Sequence, residues 1–129
     1  MKKYIIDTNT ILRYLLNDHA AMFKEARHFF DLIKMGKARA YLEQAVFAET
    51  IGVLSKVYKV PKEEIAKVLK NLLMYKGILN AEKEVLLEAL ELYSNSELHI
   101  LDCIIAAKTK LTHIEIMTFD VELKQKCIS

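Results

Sequence analysis

Four acidic residues draw attention as a set, two at strand ends, one at an apolar helix start and one at the edge of an apolar helix face: Asp7, Asp120, Asp102 and Glu49. Asp7 ends the run Tyr4-Ile5-Ile6 and opens Thr8-Asn9-Thr10, and Asp102 interrupts the apolar stretch Leu98-His99-Ile100-Leu101-Asp102-Cys103-Ile104-Ile105-Ala106-Ala107. Glu49 borders the apolar face of Gln44 to Leu54, and Asp120 follows Thr118-Phe119. If the four converge on one crevice, each close pair repels by about 4 kcal/mol at an effective dielectric near 20, and a divalent cation is the simplest compensation. The candidate ligands are all oxygen donors. His19, His28, His99 and His113 are scattered, with no Cys/His cluster at ligand spacing, so Mg2+ or Mn2+ suits the set better than zinc. An ion held this way can deprotonate a water and neutralise phosphoryl oxygens, which is the chemistry of phosphodiester hydrolysis. Each acid also has a plainer use: Asp7, Asp102 and Asp120 as helix caps, Glu49 as a solvated border residue.

The elements that must position these residues follow from periodicity. Lys2 to Ile6 reads as a strand, and Tyr4, Ile5 and Ile6, without polar alternation, suit one covered on both faces. Thr10 to Leu16 reads as a short helix and Ala20 to Met35 as a second, with Phe23, Ala26, Phe29/Phe30 and Ile33 on one face and Gly36 closing it. A brief strand at Ala38 to Leu42 precedes a helix from Gln44 to Tyr58. Pro61 opens another, with Glu63 and Glu64 in its first turn and Ile65, Val68, Leu69, Leu72 and Leu73 as its buried stripe, and Gly77 ends it. Ile78-Leu79 reads as a strand, Ala81 to Tyr93 and Leu101 to Leu111 as helices, Ile114 to Thr118 as a strand, and Asp120 starts a last short helix. Gly52, beside Glu49, reads as a place where another backbone could come close. Strands separated by helices predict a parallel sheet flanked by helices, with sites at the carboxyl edge where strands meet helix starts.

At 129 residues and 53% hydrophobic content the chain is expected to form one domain over residues 1–129 with its own core. The apolar stretch behind Lys2-Lys3 stops at Asp7, too short for a signal peptide, and no uncharged run approaches a membrane span. Cys103 and Cys127 lie in apolar or helical contexts and are expected as buried reduced thiols, in a soluble, cytoplasmic protein. The net charge is only +2. That permits a nucleic-acid partner without announcing one; gathering the acids at one spot would leave Lys24, Arg27, Lys34, Lys37, Arg39, Lys56, Lys59 and Lys62 as the basic surface.

Ile5-Ile6-Asp7-Thr8-Asn9 with Leu12-Arg13-Tyr14, then Phe47-Ala48-Glu49, Leu101-Asp102-Cys103-Ile104-Ile105-Ala106-Ala107 and Thr118-Phe119-Asp120, resemble in that order the motifs of the PIN-domain family, and within it the VapC-like toxins of toxin–antitoxin pairs. The resemblance implies a three-layer α/β/α sandwich with a central, mainly parallel sheet. It also implies Mg2+- or Mn2+-dependent endoribonuclease activity on RNA, homodimerisation, and inhibition by a small antitoxin protein. Carried over position by position, Asp7, Glu49 and Asp102 are the principal acids, Asp120 supports the metal and its waters, and Asn9 and Thr118 are polar helpers. Cys103 stands where the resembling motif commonly has alanine. Exposed aromatic residues among Phe23, Phe29 and Phe30 would serve a dimer, though core packing is the commoner use of any one of them.

Two other readings use the same features. A phospho-accepting receiver domain has this length and an acidic Mg2+ pocket, but calls for an acidic pair after its first strand and a lysine after its last. Here Asp7 has no acidic neighbour, and Phe119-Asp120 follows Thr118. A non-catalytic binding module would keep the fold and use the carboxylates as caps.

Overall fold

Residues 1–128, described by a computed structural model, run β1 (Lys3–Ile5), α1 (Thr8–Leu16), α2 (Ala20–Met35), β2 (Arg39–Tyr41), α3 (Gln44–Lys56), α4 (Lys62–Leu73), α5 (Lys83–Ser94), α6 (Ile100–Thr112) and α7 (Val121–Ile128). β1 and β2 are parallel, pairing Lys3 with Arg39, Tyr4 with Ala40 and Ile5 with Tyr41. Parallel neighbours need a crossover, which α1 and α2 provide. The fold is therefore α/β with a parallel sheet.

Ile78 extends that sheet by one parallel bridge to Ala40 rather than by a full strand. The Ala40 N–H donates to the Gly77 carbonyl at 2.8 Å and the Leu79 N–H donates to the Ala40 carbonyl at 2.9 Å. Ile114 to Thr118, expected as a strand, is not one. Threonines just before it and at its end bond the local backbone instead: the Thr112 hydroxyl accepts from Ile114 N–H at 3.3 Å, and the Thr118 hydroxyl accepts from Asp120 N–H at 3.1 Å. Such bonds compete with a ladder. Ile114, Met117 and Phe119 are left exposed.

The helices start and stop where side chains satisfy their ends. Asp7 caps α1, His19 Nδ1 accepts the Met22 N–H at the start of α2, and Gly36, at φ +77°, closes α2 in the left-handed region. α4 turns Ile65, Leu69, Leu72 and Leu73 inward, as its apolar stripe predicts. The core gathers Ile11, Phe30, Ile33, Phe47, Ile51, Leu69, Leu86 and Leu90. Phe30 is fully buried under Tyr14, and Phe29 packs edge-on against Tyr4 at 5.1 Å, so both aromatic rings serve the interior. Cys103 and Cys127 are free thiols, both buried. No helix of the described residues is long and apolar enough to cross a membrane.

Candidate functional site

α3 packs between α1 and α6. Between α3 and the first turn of α6 lies a cleft of about 650 Å³, lined by Glu49, Gly52 and Lys56 of α3, by Tyr93 of α5, and by His99 and Asp102 at the start of α6. Helical spacing explains the α3 contribution, since residues three and seven apart share a face. Asp102 occupies the third position of α6, where the helix dipole favours a negative charge. It is half-buried and makes no side-chain hydrogen bond or ion pair among the described residues. Its helix is entered through His99, which provides no side-chain cap, so Asp102 is not occupied as one.

Glu49 is exposed to the cleft. One of its carboxylate oxygens, Oε1, accepts a hydrogen bond from the Thr8 hydroxyl at the start of α1, which ties the first helix to the third at this point. Thr8 stands in the polar run after Asp7 and reads from sequence as a capping residue. Its bond to Glu49 joins positions 41 residues apart, and no local pattern signals it.

Asp7 and Asp120 do not line the cleft. Asp7 Oδ1 accepts from the Thr10 hydroxyl at 2.7 Å and from the Thr10 N–H at 2.9 Å, and these bonds, the hydroxyl foremost, hold its carboxyl below the usual range. Asp120 Oδ1 accepts the Leu123 N–H at 3.0 Å and so caps α7. Asn9 lines a separate hollow beside Tyr4 and Arg13, and Thr118 bonds the Asp120 backbone. The structure thus brings Glu49 and Asp102 to one cleft, puts Asp7 next in sequence to the threonine that touches Glu49, and has Asp120 at the start of α7. Among the described residues no group of three or more His, Cys, Asp or Glu side chains is placed to hold a metal ion. Besides His99 and Lys56 on its walls, the cleft offers a cation two carboxylates. That set suits a small hard cation, which takes one or two carboxylates and keeps several waters.

Asp7 carries a pH signature. A carboxylate with a depressed folded pKa stabilises fully above its unfolded value, about pH 4, and its contribution fades as pH falls through the lower folded value. Urea unfolding of the wild type should therefore weaken over that interval. Asp7→Asn, which keeps a good cap but cannot titrate, should flatten this part of the profile.

One group beside the cleft, Cys103, and one outside its lining, Arg13, have distinct surroundings. Burial pushes the Cys103 thiol up, so it remains protonated, and its sulfur lies 3.9 Å from the Leu98 carbonyl. It is not set up as a nucleophile. Arg13 faces Asp18 at 2.7 Å and the Tyr58 hydroxyl at 3.5 Å, linking the ends of α1 and α3.

A family model described as "PIN domain" matches residues 4–128. The VapC ribonuclease of Aquifex aeolicus (strain VF5) is 26% identical over 123 residues, spanning 94% of this chain and 90% of that protein. No solved structure matches the chain.

Proposed function

The chain belongs to the PIN-domain family, and from that premise we propose that it is a metal-dependent endoribonuclease, the toxin of a VapC-like toxin–antitoxin pair. One observation carries the reading: Glu49 and Asp102, far apart in sequence, bring two carboxylates to the same cleft. The similarity to a protein named VapC ribonuclease supports RNA as the substrate. In this reading Glu49 and Asp102 would hold Mg2+ or Mn2+ together with Asp7, Asp120 would support its waters, and Asn9 and Thr118 would be polar helpers. When bound, such an ion supplies a more acidic water and neutralises charge on the phosphoryl oxygens.

The remaining work falls to the chain's own groups. The Thr8 hydroxyl orients Glu49 through Oε1, and Oε2 makes no hydrogen bond among the described residues. Lys56, two helical turns beyond Glu49 on the cleft wall, offers a cation to a neighbouring phosphate. His99 at the cleft edge offers an imidazole to an adjoining nucleotide. The proposal extends to a three-layer α/β/α arrangement, a homodimer, a small antitoxin protein as inhibitor, and a cytoplasmic setting without membrane association.

Metal removal tests it directly. The purified protein should cleave single-stranded RNA in millimolar Mn2+ or Mg2+, stop in excess EDTA, and resume on metal readdition. Cleavage indifferent to EDTA would overturn the reading. The capping bonds of Asp7 and Asp120 favour one second reading, a non-catalytic module whose acids hold helix ends. Absence of both Mn2+ binding and RNA cleavage would select it.

A further inference from the structure

Lys62 is the first residue of α4 and reads from sequence as one of eight candidates for a basic, RNA-facing surface. The structure gives it different neighbours. It is half-buried, and its ammonium donates to the Ser96 carbonyl at 2.9 Å and to the Leu98 carbonyl at 2.8 Å. The same nitrogen lies 4.4 Å from the centroid of the Tyr93 ring. An ammonium withdrawn from water is costly unless its donors find acceptors, and here two carbonyls and an aromatic face take the place of water.

The two carbonyls belong to the turn between α5 and α6, the segment that delivers Asp102. Leu98 directly precedes His99, the residue from which α6 starts without a side-chain cap. Asp102 follows His99 by three residues, and the Cys103 N–H closes the first helical turn onto the His99 carbonyl at 3.1 Å. Ser96 completes the brace: its hydroxyl donates to the Leu92 carbonyl at 2.7 Å and accepts from the Leu98 N–H at 3.3 Å. Tyr93, under the ammonium, lines the cleft together with Asp102.

We infer that Lys62 is a positioning residue for the Asp102 carboxylate: it clamps the Ser96–Leu98 turn against Tyr93, and so sets where the uncapped start of α6 presents Asp102 to Glu49. The inference rests on the reading of Glu49 and Asp102 as a cation site. A clamp that only stabilised the fold would change unfolding without changing what the cleft binds. A positioning clamp changes the cleft in a protein that is still folded.

Mn2+ titration by calorimetry on the full chain, paired with amide exchange at Cys103, separates these roles. Lys62→Met removes every donor and should weaken Mn2+ binding by about tenfold, the usual scale for a residue that orients a ligand from behind. It should also speed exchange at the Cys103 N–H. Lys62→Arg, whose guanidinium can donate to both carbonyls and stack on Tyr93, should restore both readouts. If Lys62→Met does not fold, Lys62→Gln, which keeps a shorter neutral donor, should show the same two changes in reduced form.

A folded Lys62→Met or Lys62→Gln protein with wild-type Mn2+ affinity would overturn the inference while leaving the site reading intact, provided Asp102→Asn loses binding in the same series. Loosening at Cys103 without a change in affinity would likewise reduce Lys62 to a structural clamp. A wild type that binds no Mn2+ would overturn the site reading, and the inference with it.

Discussion

Asp102→Asn should leave a folded protein that, on the proposed function, cleaves RNA at least about 100-fold more slowly, since a ligand to a catalytic ion would underwrite several kcal/mol of transition-state stabilisation and each 1.36 kcal/mol is a factor of ten. The substitution keeps the side chain's size and removes only its charge. Asp102 makes no side-chain hydrogen bond or ion pair among the described residues, so nothing in the fold is left unpaired. The structural loss is confined to the favourable interaction with the start of α6, at most about 1 kcal/mol. Activity and stability should therefore part company: thermal unfolding close to wild type, with RNA cleavage in Mn2+ nearly gone. Asp120→Asn sets the contrast. Asn caps a helix about as well as Asp, and Asp120 lies outside the cleft lining, so the loss of cleavage should be smaller. Wild-type rates from purified Asp102→Asn protein would remove Asp102 from the mechanism.

How far these residues were legible in the chain depended on whether their partners were local. The helix ends were readable because their causes lie within a few positions: Gly36 in the left-handed region, Pro61 before the first turn of α4, the apolar stripe from Ile65 to Leu73. The parallel pairing of β1 with β2 follows from the two helices between them, again a short-range inference. The cleft was legible only in part. The unusual settings of Glu49 and Asp102 marked them, yet Asp7 and Asp120 share the same acidic chemistry and are engaged by N–H groups three residues ahead.

The misreadings were of long-range facts. Ile114 to Thr118 has the composition of a strand, but a strand exists only where another backbone pairs with it, and Thr112 just before it and Thr118 at its end bond locally. Lys62 looks like any surface lysine until the carbonyls 34 and 36 residues away are in place. Thr8 is the converse case, a residue that reads as a cap and instead braces Glu49.

Glycine gives the second large effect, because two glycines that look alike in sequence should respond to alanine with opposite signs. Gly77 reads as a helix terminator, and the structure supplies a stronger reason for it. A Cβ there would stand 2.2 Å from the Ala38 carbonyl oxygen and 2.8 Å from that of Ile33, both backbone atoms. The same residue donates its N–H to Ile33 at 2.8 Å and accepts the Ala40 N–H, so it sits where the end of α2, β2 and the Ile78 bridge meet. Backbone cannot swing aside as a side chain can; relieving the clash means breaking those bonds or separating α2 from the sheet. Gly77→Ala should cost at least about 3 kcal/mol, the upper end of overpacking, read as a lowered urea midpoint.

Gly52 was expected to admit a neighbouring backbone, yet a Cβ there meets nothing within 4 Å, and the residue lies inside α3 with ordinary helical neighbours. Gly52→Ala should raise stability by about 0.5–1 kcal/mol through helix propensity alone. Because Gly52 lines the cleft, its added methyl also probes the ligand: weaker RNA binding by this more stable protein would mean that RNA lies along the α3 wall, and unchanged binding would move the RNA path away from it. A Gly77→Ala protein as stable as wild type would contradict the close packing of Gly77 against Ala38 and Ile33.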